Sequence, residues 1–278
     1  MLTASDSICL LDKEAKTITN DTRLDKPSRL QATTPIAGHT QQLKIDERFV
    51  QKMLSPSELN FFKNHAIFFK DLIPAIVRVD EPSSSVTMRN IAHGMLSPKL
   101  MDIKIGNKFT NRYYLIHTKG LTEENAITAK INGRIQSSKR SNLCRNHYFI
   151  AGYTGQDPIK LKQERLSGSD QKTPQHILSA FCNTDRRLLT RLATQLKEIA
   201  NRLTVAPYSN YALISSSLLI AFDQKNPENI KIKIIDFANA QYCNESDPTE
   251  KKEMIVEYNQ SYHQGLANLI QHVNDAAT

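Results

Sequence analysis

The chain has 278 residues, of which 40% are hydrophobic, and a formal charge of +8 at neutral pH. Its mean hydropathy is -0.44, and no apolar run approaches the roughly 18 residues of a membrane-spanning helix. Composition therefore excludes both a helical membrane protein and a disordered polyelectrolyte, and the length suits one large domain or two lobes around a cleft.

In chain order, Ile8–Leu11 and Thr17–Thr19 read as a short hairpin, followed by a Pro- and Thr-containing link. Ile8–Leu11 is too short an apolar core for a signal peptide. Ala37-Gly38-His39 marks a turn, and Phe49–Met53 alternates as a strand. Ser57, after Pro56, opens a helix carrying Glu58, Phe61 and Phe62. Ile76–Val79 and Val86–Met88 are strands separated by a Pro-Ser-Ser-Ser turn. Residues 122–136 have helical character with Thr122 as cap. The clearest helix is Asp185–Leu203, where Leu188, Leu189, Leu192, Leu196, Ile199 and Leu203 recur at three- and four-residue spacing. Ile230–Phe237 reads as a buried strand and Tyr262–Val273 as a terminal helix. Cys9, Cys144, Cys182 and Cys243 show no metal-like spacing, so free thiols and a cytoplasmic location are expected.

Three features carry chemistry. Residues 98–106 read Pro-Lys-Leu-Met-Asp-Ile-Lys-Ile-Gly. In a strand, Asp102 and Lys104 share a face, which sets a carboxylate beside an ammonium, able to orient a hydroxyl and neutralise a phosphoryl group. Charge is concentrated just there: residues 99–145 hold ten lysines and arginines against three acids, +7 of the total +8. Such a block suits a polyanion, whether nucleic acid, acidic membrane or a multiply phosphorylated small molecule. Aromatic residues do not alternate with the basic ones, so nucleic acid is the weakest of the three. Finally, Asp236 follows the apolar run Ile232–Ile235, where a hard oxygen ligand at a strand end can reach a metal.

Pro98, Asp102, Lys104 and Gly106 reproduce the P-x-x-x-D-x-K-x-G signature of the inositol polyphosphate kinases, and the chain resembles that family over residues 35–278. Ala37-Gly38-His39 resembles the family's shortened glycine loop over ATP. Lys52 is similar to its nucleotide lysine, with Glu58 on the next helix steadying it. Ser215-Ser216-Ser217-Leu218-Leu219 resembles the S-S-L-L element, Ile235-Asp236-Phe237-Ala238 the I-D-F-A motif, and Tyr262–Leu266 with Leu269-Ile270 the closing helix. Three positions depart from the pattern. The G-F-R-I-x-G stretch appears as His147–Gly152 without its arginine, the hinge Met88–Ile91 lacks an acidic pair, and Asn239 replaces a histidine.

The resemblance implies an α+β, two-lobed kinase-like fold, with an antiparallel-sheet N-lobe and a mixed α/β C-lobe carrying an inositol phosphate-binding helical segment. Residues 1–34 would be a variable segment, 35–91 the ATP-binding N-lobe, and 92–278 the C-lobe, with 107–145 as basic substrate-binding segment. The implied activity is ATP- and Mg2+-dependent phosphorylation of a soluble inositol polyphosphate. Lys104 would contact the transferred phosphate and Asp102 orient the acceptor hydroxyl or the nucleotide. Gly38, His39, Lys52, Glu58, Asn90 and Ser217 would serve the nucleotide, and Asp236 the metal. Lys108, Lys130, Arg134, Lys139 and Arg140 would meet substrate phosphates. No nucleic-acid partner is expected, and membrane contact only through the basic segment. A lipid or protein kinase of the same fold, or a silent inositol phosphate sensor, are the alternatives.

Overall fold

Alternating apolar residues build two antiparallel sheets from the two halves of the chain. The computed structural model describes residues 43–107, 146–155 and 173–278. The expected N-terminal hairpin, the 37–39 turn and the 122–136 helix lie outside them.

The first sheet contains β1 (Leu43–Ile45), β2 (Phe49–Met53), β3 (Ile76–Asp80) and β4 (Ser85–Arg89), in the order β1-β2-β4-β3. Asp46 shapes the first hairpin, its Oδ1 accepting from the amides of Arg48 and Phe49 at 2.7 and 2.6 Å. Helix α1 (Pro56–Asn64) follows β2. Ser55, rather than Ser57, is its cap and accepts from the Glu58 amide, leaving Pro56 in the first turn, where a missing N–H costs nothing.

The second sheet contains β5 (Pro98–Ile105), β6 (Tyr148–Tyr153), β8 (Ser217–Asp223) and β9 (Asn226–Ile235), ordered β6-β5-β8-β9. A two-residue ribbon pairs β7 (Tyr211–Ala212) with β10 (Gln241–Tyr242). Helices α2 (Pro174–Phe181), α3 (Arg186–Leu203) and α4 (Thr249–Ala277) complete this half. Helix α3 falls where the leucine spacing sets it, with Asp185 capping the amides of Arg187 and Leu188. Strand β9 begins earlier than its apolar run and stops at Ile235, because Asp236 turns to a left-handed φ of 66°. It is also half-buried with alternating faces, not buried throughout. Helix α4 is far longer than Tyr262–Val273. Its polar first half buries Met254, Ile255 and Tyr258 against Ala212, Ile214 and Cys243.

One hydrophobic cluster runs through both sheets, joining Leu54, Phe61, Phe62 and Val86 to Leu218, Ile234 and Phe237. At its centre the rings of Phe61 and Phe237 stack at 4.1 Å between centroids, 2° from parallel. Cys182 and Cys243 are buried free thiols, and burial pushes the Cys182 thiol up to about 12. Among the described residues, no helix is long and apolar enough to cross a membrane.

Helix α4 crosses the start of β6 at Gly265, where a Cβ would stand 2.2 Å from the carbonyl oxygen of His147 and 3.1 Å from the amide of Gly106. Both neighbours are backbone, so a side chain fits only if the helix lifts. Gly265→Ala is expected to destabilise the fold by about 1–3 kcal/mol, read as a lower urea midpoint at unchanged slope.

Candidate active site

Five separate elements bring the charged residues together. Strand register sets one side: Lys104 on β5 faces Ser217 on β8, and Ser217 faces Ile235 on β9, so Asp236 emerges beside Lys104. The Lys104 ammonium donates to Ser217 Oγ at 2.7 Å and to Asp236 Oδ2 at 3.2 Å, and reaches the Ser215 carbonyl oxygen at 3.5 Å. From the other sheet, Lys52 Nζ donates to Glu58 Oε1 at 2.6 Å and to Asp236 Oδ1 at 3.0 Å. Each oxygen of Asp236 thus faces one ammonium, the two coming from opposite halves of the molecule.

The backbone at Asp236 is held by α1. Glu58 is only 3% exposed, and its Oε1 also accepts from the Phe237 amide at 3.1 Å. Ser57 Oγ donates to the Ala238 carbonyl oxygen at 2.6 Å. One carboxylate therefore steadies Lys52 and the turn that presents Asp236. The spacing Ser55-x-x-Glu58 is that of a capping box, yet the glutamate is spent on these two longer-range partners. The Ser57 contact with Ala238, the Ser215 carbonyl and the Phe61–Phe237 stack carry no sequence signature of their own; the capping-box spacing is the available signal for the α1 contacts.

Electrostatics favours the charged forms of Lys52 and Asp236. Burial opposes the charge on Lys52, but the Asp236 and Glu58 carboxylates outweigh it and hold the ammonium above the usual lysine value. Burial likewise opposes the Asp236 carboxylate, and Lys52 and Lys104 outweigh it, holding the group below the usual range. Two ammoniums and two carboxylates cancel, leaving a neutral constellation to which a polyanion and a divalent cation can be added together.

Among the described residues no group of three or more His, Cys, Asp or Glu side chains is arranged to hold a metal. The donor at hand is the Asp236 carboxylate, 40% exposed; the Ser217 hydroxyl beside it is buried and accepts from Lys104. Such a sparse set of hard oxygens fits Mg2+, which keeps its waters and takes one or two carboxylates plus phosphate oxygens.

Asp102 lies two residues from Lys104, opposite Leu219, where the pairing of β5 with β6 slips by a bulge. Its side chain is buried. Asn90 ends up just past β4, its amide donating to the Asp46 carbonyl oxygen at 2.8 Å and its oxygen accepting from the Ala92 amide at 3.0 Å. These bonds tie the link between the sheets to the β1–β2 turn. Gly38, His39, Lys108, Lys130, Arg134, Lys139 and Arg140 lie outside the described residues.

The inositol polyphosphate kinase family model matches residues 85–274. No curated protein sequence matches the chain. Among solved structures, it is similar to inositol phosphate multikinase from S. cerevisiae, solved with ADP and Mn2+. Identity is 18%, the TM-score is 0.59, and the match covers 82% of this chain and 98% of the other. A second inositol phosphate multikinase structure aligns at 13% identity and a TM-score of 0.55, covering 80% and 99% of the two chains. At these identities the likeness is one of fold: a kinase-like α+β arrangement, built in this chain from two antiparallel sheets and their helices.

Proposed function

The chain belongs to the inositol polyphosphate kinase family, and from that premise we propose that it transfers the γ-phosphate of ATP, with Mg2+, to a hydroxyl of a soluble inositol polyphosphate. The observation that carries the reading is the convergence of Lys52 and Lys104 on the two oxygens of Asp236. Phosphoryl transfer needs little covalent help from a protein. It needs charge placed where charge develops, and groups held in line.

Each residue then has a task. Lys52, steadied by Glu58, grips the nucleotide phosphates, which Gly38 and His39 also serve. Asp236, with Ser217 beside it, holds the cation, which when bound neutralises phosphate charge. Lys104 leaves its contact with Asp236 to meet the transferred phosphoryl group. Asp102 orients the acceptor hydroxyl or the nucleotide. Asn90 stands at the nucleotide end of the link, between an N-lobe of residues 35–91 and a C-lobe of 92–278. Lys108, Lys130, Arg134, Lys139 and Arg140, within the basic segment 107–145, meet the acceptor phosphates.

Labelled ATP and a panel of inositol tris- and tetrakisphosphates, with products resolved by position, test this. Label is expected in soluble inositol phosphates. Label appearing only in phosphoinositide vesicles would transfer the activity to lipid headgroups. Binding of the panel without transfer would mark a sensor.

A further inference from the structure

Helix α4 fastens both ends of the basic stretch. At the leading end, the Asn107 amide donates to Ser261 Oγ at 2.9 Å, and that hydroxyl donates in turn to Asn107 Oδ1 at 2.7 Å. At the trailing end, Asn268 Nδ2 donates to the carbonyl oxygen of Asn146 at 2.9 Å. The two ends are also tied to each other, because the Gly106 amide donates to the His147 carbonyl oxygen at 2.7 Å. Between the two fastening residues lies Gly265, whose missing side chain lets the helix touch that same carbonyl. Ser261, Gly265 and Asn268 follow at intervals of four and three, so one face of α4 makes all these contacts.

The position of this fastening gives it a consequence for the reaction. Asn107 lies three residues beyond Lys104, within about 10 Å along the chain, and Gly106 turns the backbone out of β5 at a φ of 82°. Ser261 is 6% exposed, so its hydroxyl is withheld from solvent and spent on Asn107. The nucleotide side of the site, Lys52 on β2 and Glu58 on α1, belongs to the other half of the molecule.

We infer that Ser261 and Asn268 are positioning residues for the acceptor. They fix where the chain leaves the signature strand and where it returns, and so set the affinity for the phosphate-bearing substrate without acting on ATP. The inference rests on the reading of residues 107–145 as the acceptor-binding stretch.

Ser261→Ala and Asn268→Ala, each in the full chain, test it. Each is expected to raise the KM for the inositol phosphate about threefold to tenfold, with kcat and the KM for ATP within about twofold of wild type. Ser261→Thr, which keeps the hydroxyl, retains the wild-type KM. Amide exchange is expected to quicken in peptides spanning Gly106-Asn107 and Asn146–Tyr148 and to stay unchanged in β8 and β9. An unchanged acceptor KM in both alanine variants, or an equal loss toward ATP, overturns the positioning role. Unchanged exchange at both ends overturns the fastening itself. A wild-type chain that phosphorylates no inositol phosphate overturns the kinase reading and the affinity claim with it, while exchange still decides the fastening.

Discussion

Lys104→Met is expected to yield a folded protein whose kcat with an inositol polyphosphate falls about a thousandfold. The side chain it replaces is 26% exposed and lies against Ser217 and Asp236. Methionine keeps the length and the apolar stem and removes only the charge and its donors. Lys52 cannot substitute, because Glu58 holds its ammonium at 2.6 Å on the opposite sheet. Stability changes little, within about 1 kcal/mol, since partly exposed ion pairs contribute no more than that. The loss belongs in kcat, because charge on the moving phosphoryl group is greatest in the transition state. Steady-state kinetics alongside thermal unfolding checks both halves, and a folded variant with wild-type turnover removes Lys104 from the reaction.

Asp236→Asn is expected to reduce turnover by about a thousandfold as well, through a different route. Asparagine tolerates the left-handed φ of 66° at this position, so the turn after β9 survives. What disappears is the anion between two ammoniums and, on the proposed reading, the principal oxygen donor for the cation. Binding of Mn2+ in the presence of ADP, followed by the spin resonance of the free ion, should be lost together with activity. Asp236→Ala adds a backbone cost of about 1 kcal/mol that Asn avoids, so comparing their unfolding midpoints separates conformation from charge. Undiminished Mn2+ uptake by the asparagine variant would move the cation to other ligands.

Strands β2, β3 and β4 and helix α3 were legible because each obeys a local rule, whereas β1, β6 and helix α2 carried no such signal. Val86 and Met88 alternate on one strand, and Leu188 through Leu203 repeat along one helical face. The failures have non-local causes. Strand β9 ends at Ile235, where Asp236 takes its left-handed φ and the Phe237 amide goes to Glu58, 179 residues from it in sequence. The first half of α4 is too polar to announce itself, and folds because Met254 and Ile255 cover a two-residue ribbon. Residues of the site were legible one at a time, from family motifs in order. Their meeting was not, since no spacing rule brings Lys52 to Asp236 across 184 positions. Nor does sequence show that the Asn90 amide is taken up by the Asp46 carbonyl.

The stacked rings of Phe61 and Phe237 bear on how the protein fails under stress. Phe237 is the residue next to Asp236, and Phe61 lies one turn along the helix from Glu58. The pair sits within an apolar cluster that belongs to both sheets at once. Because that cluster is shared, unfolding of the two halves is expected to be coupled in one cooperative step. Catalytic competence and global stability then draw on the same reserve. A destabilising change far from the cleft, in either half, is felt as lost working enzyme before it is felt as altered chemistry.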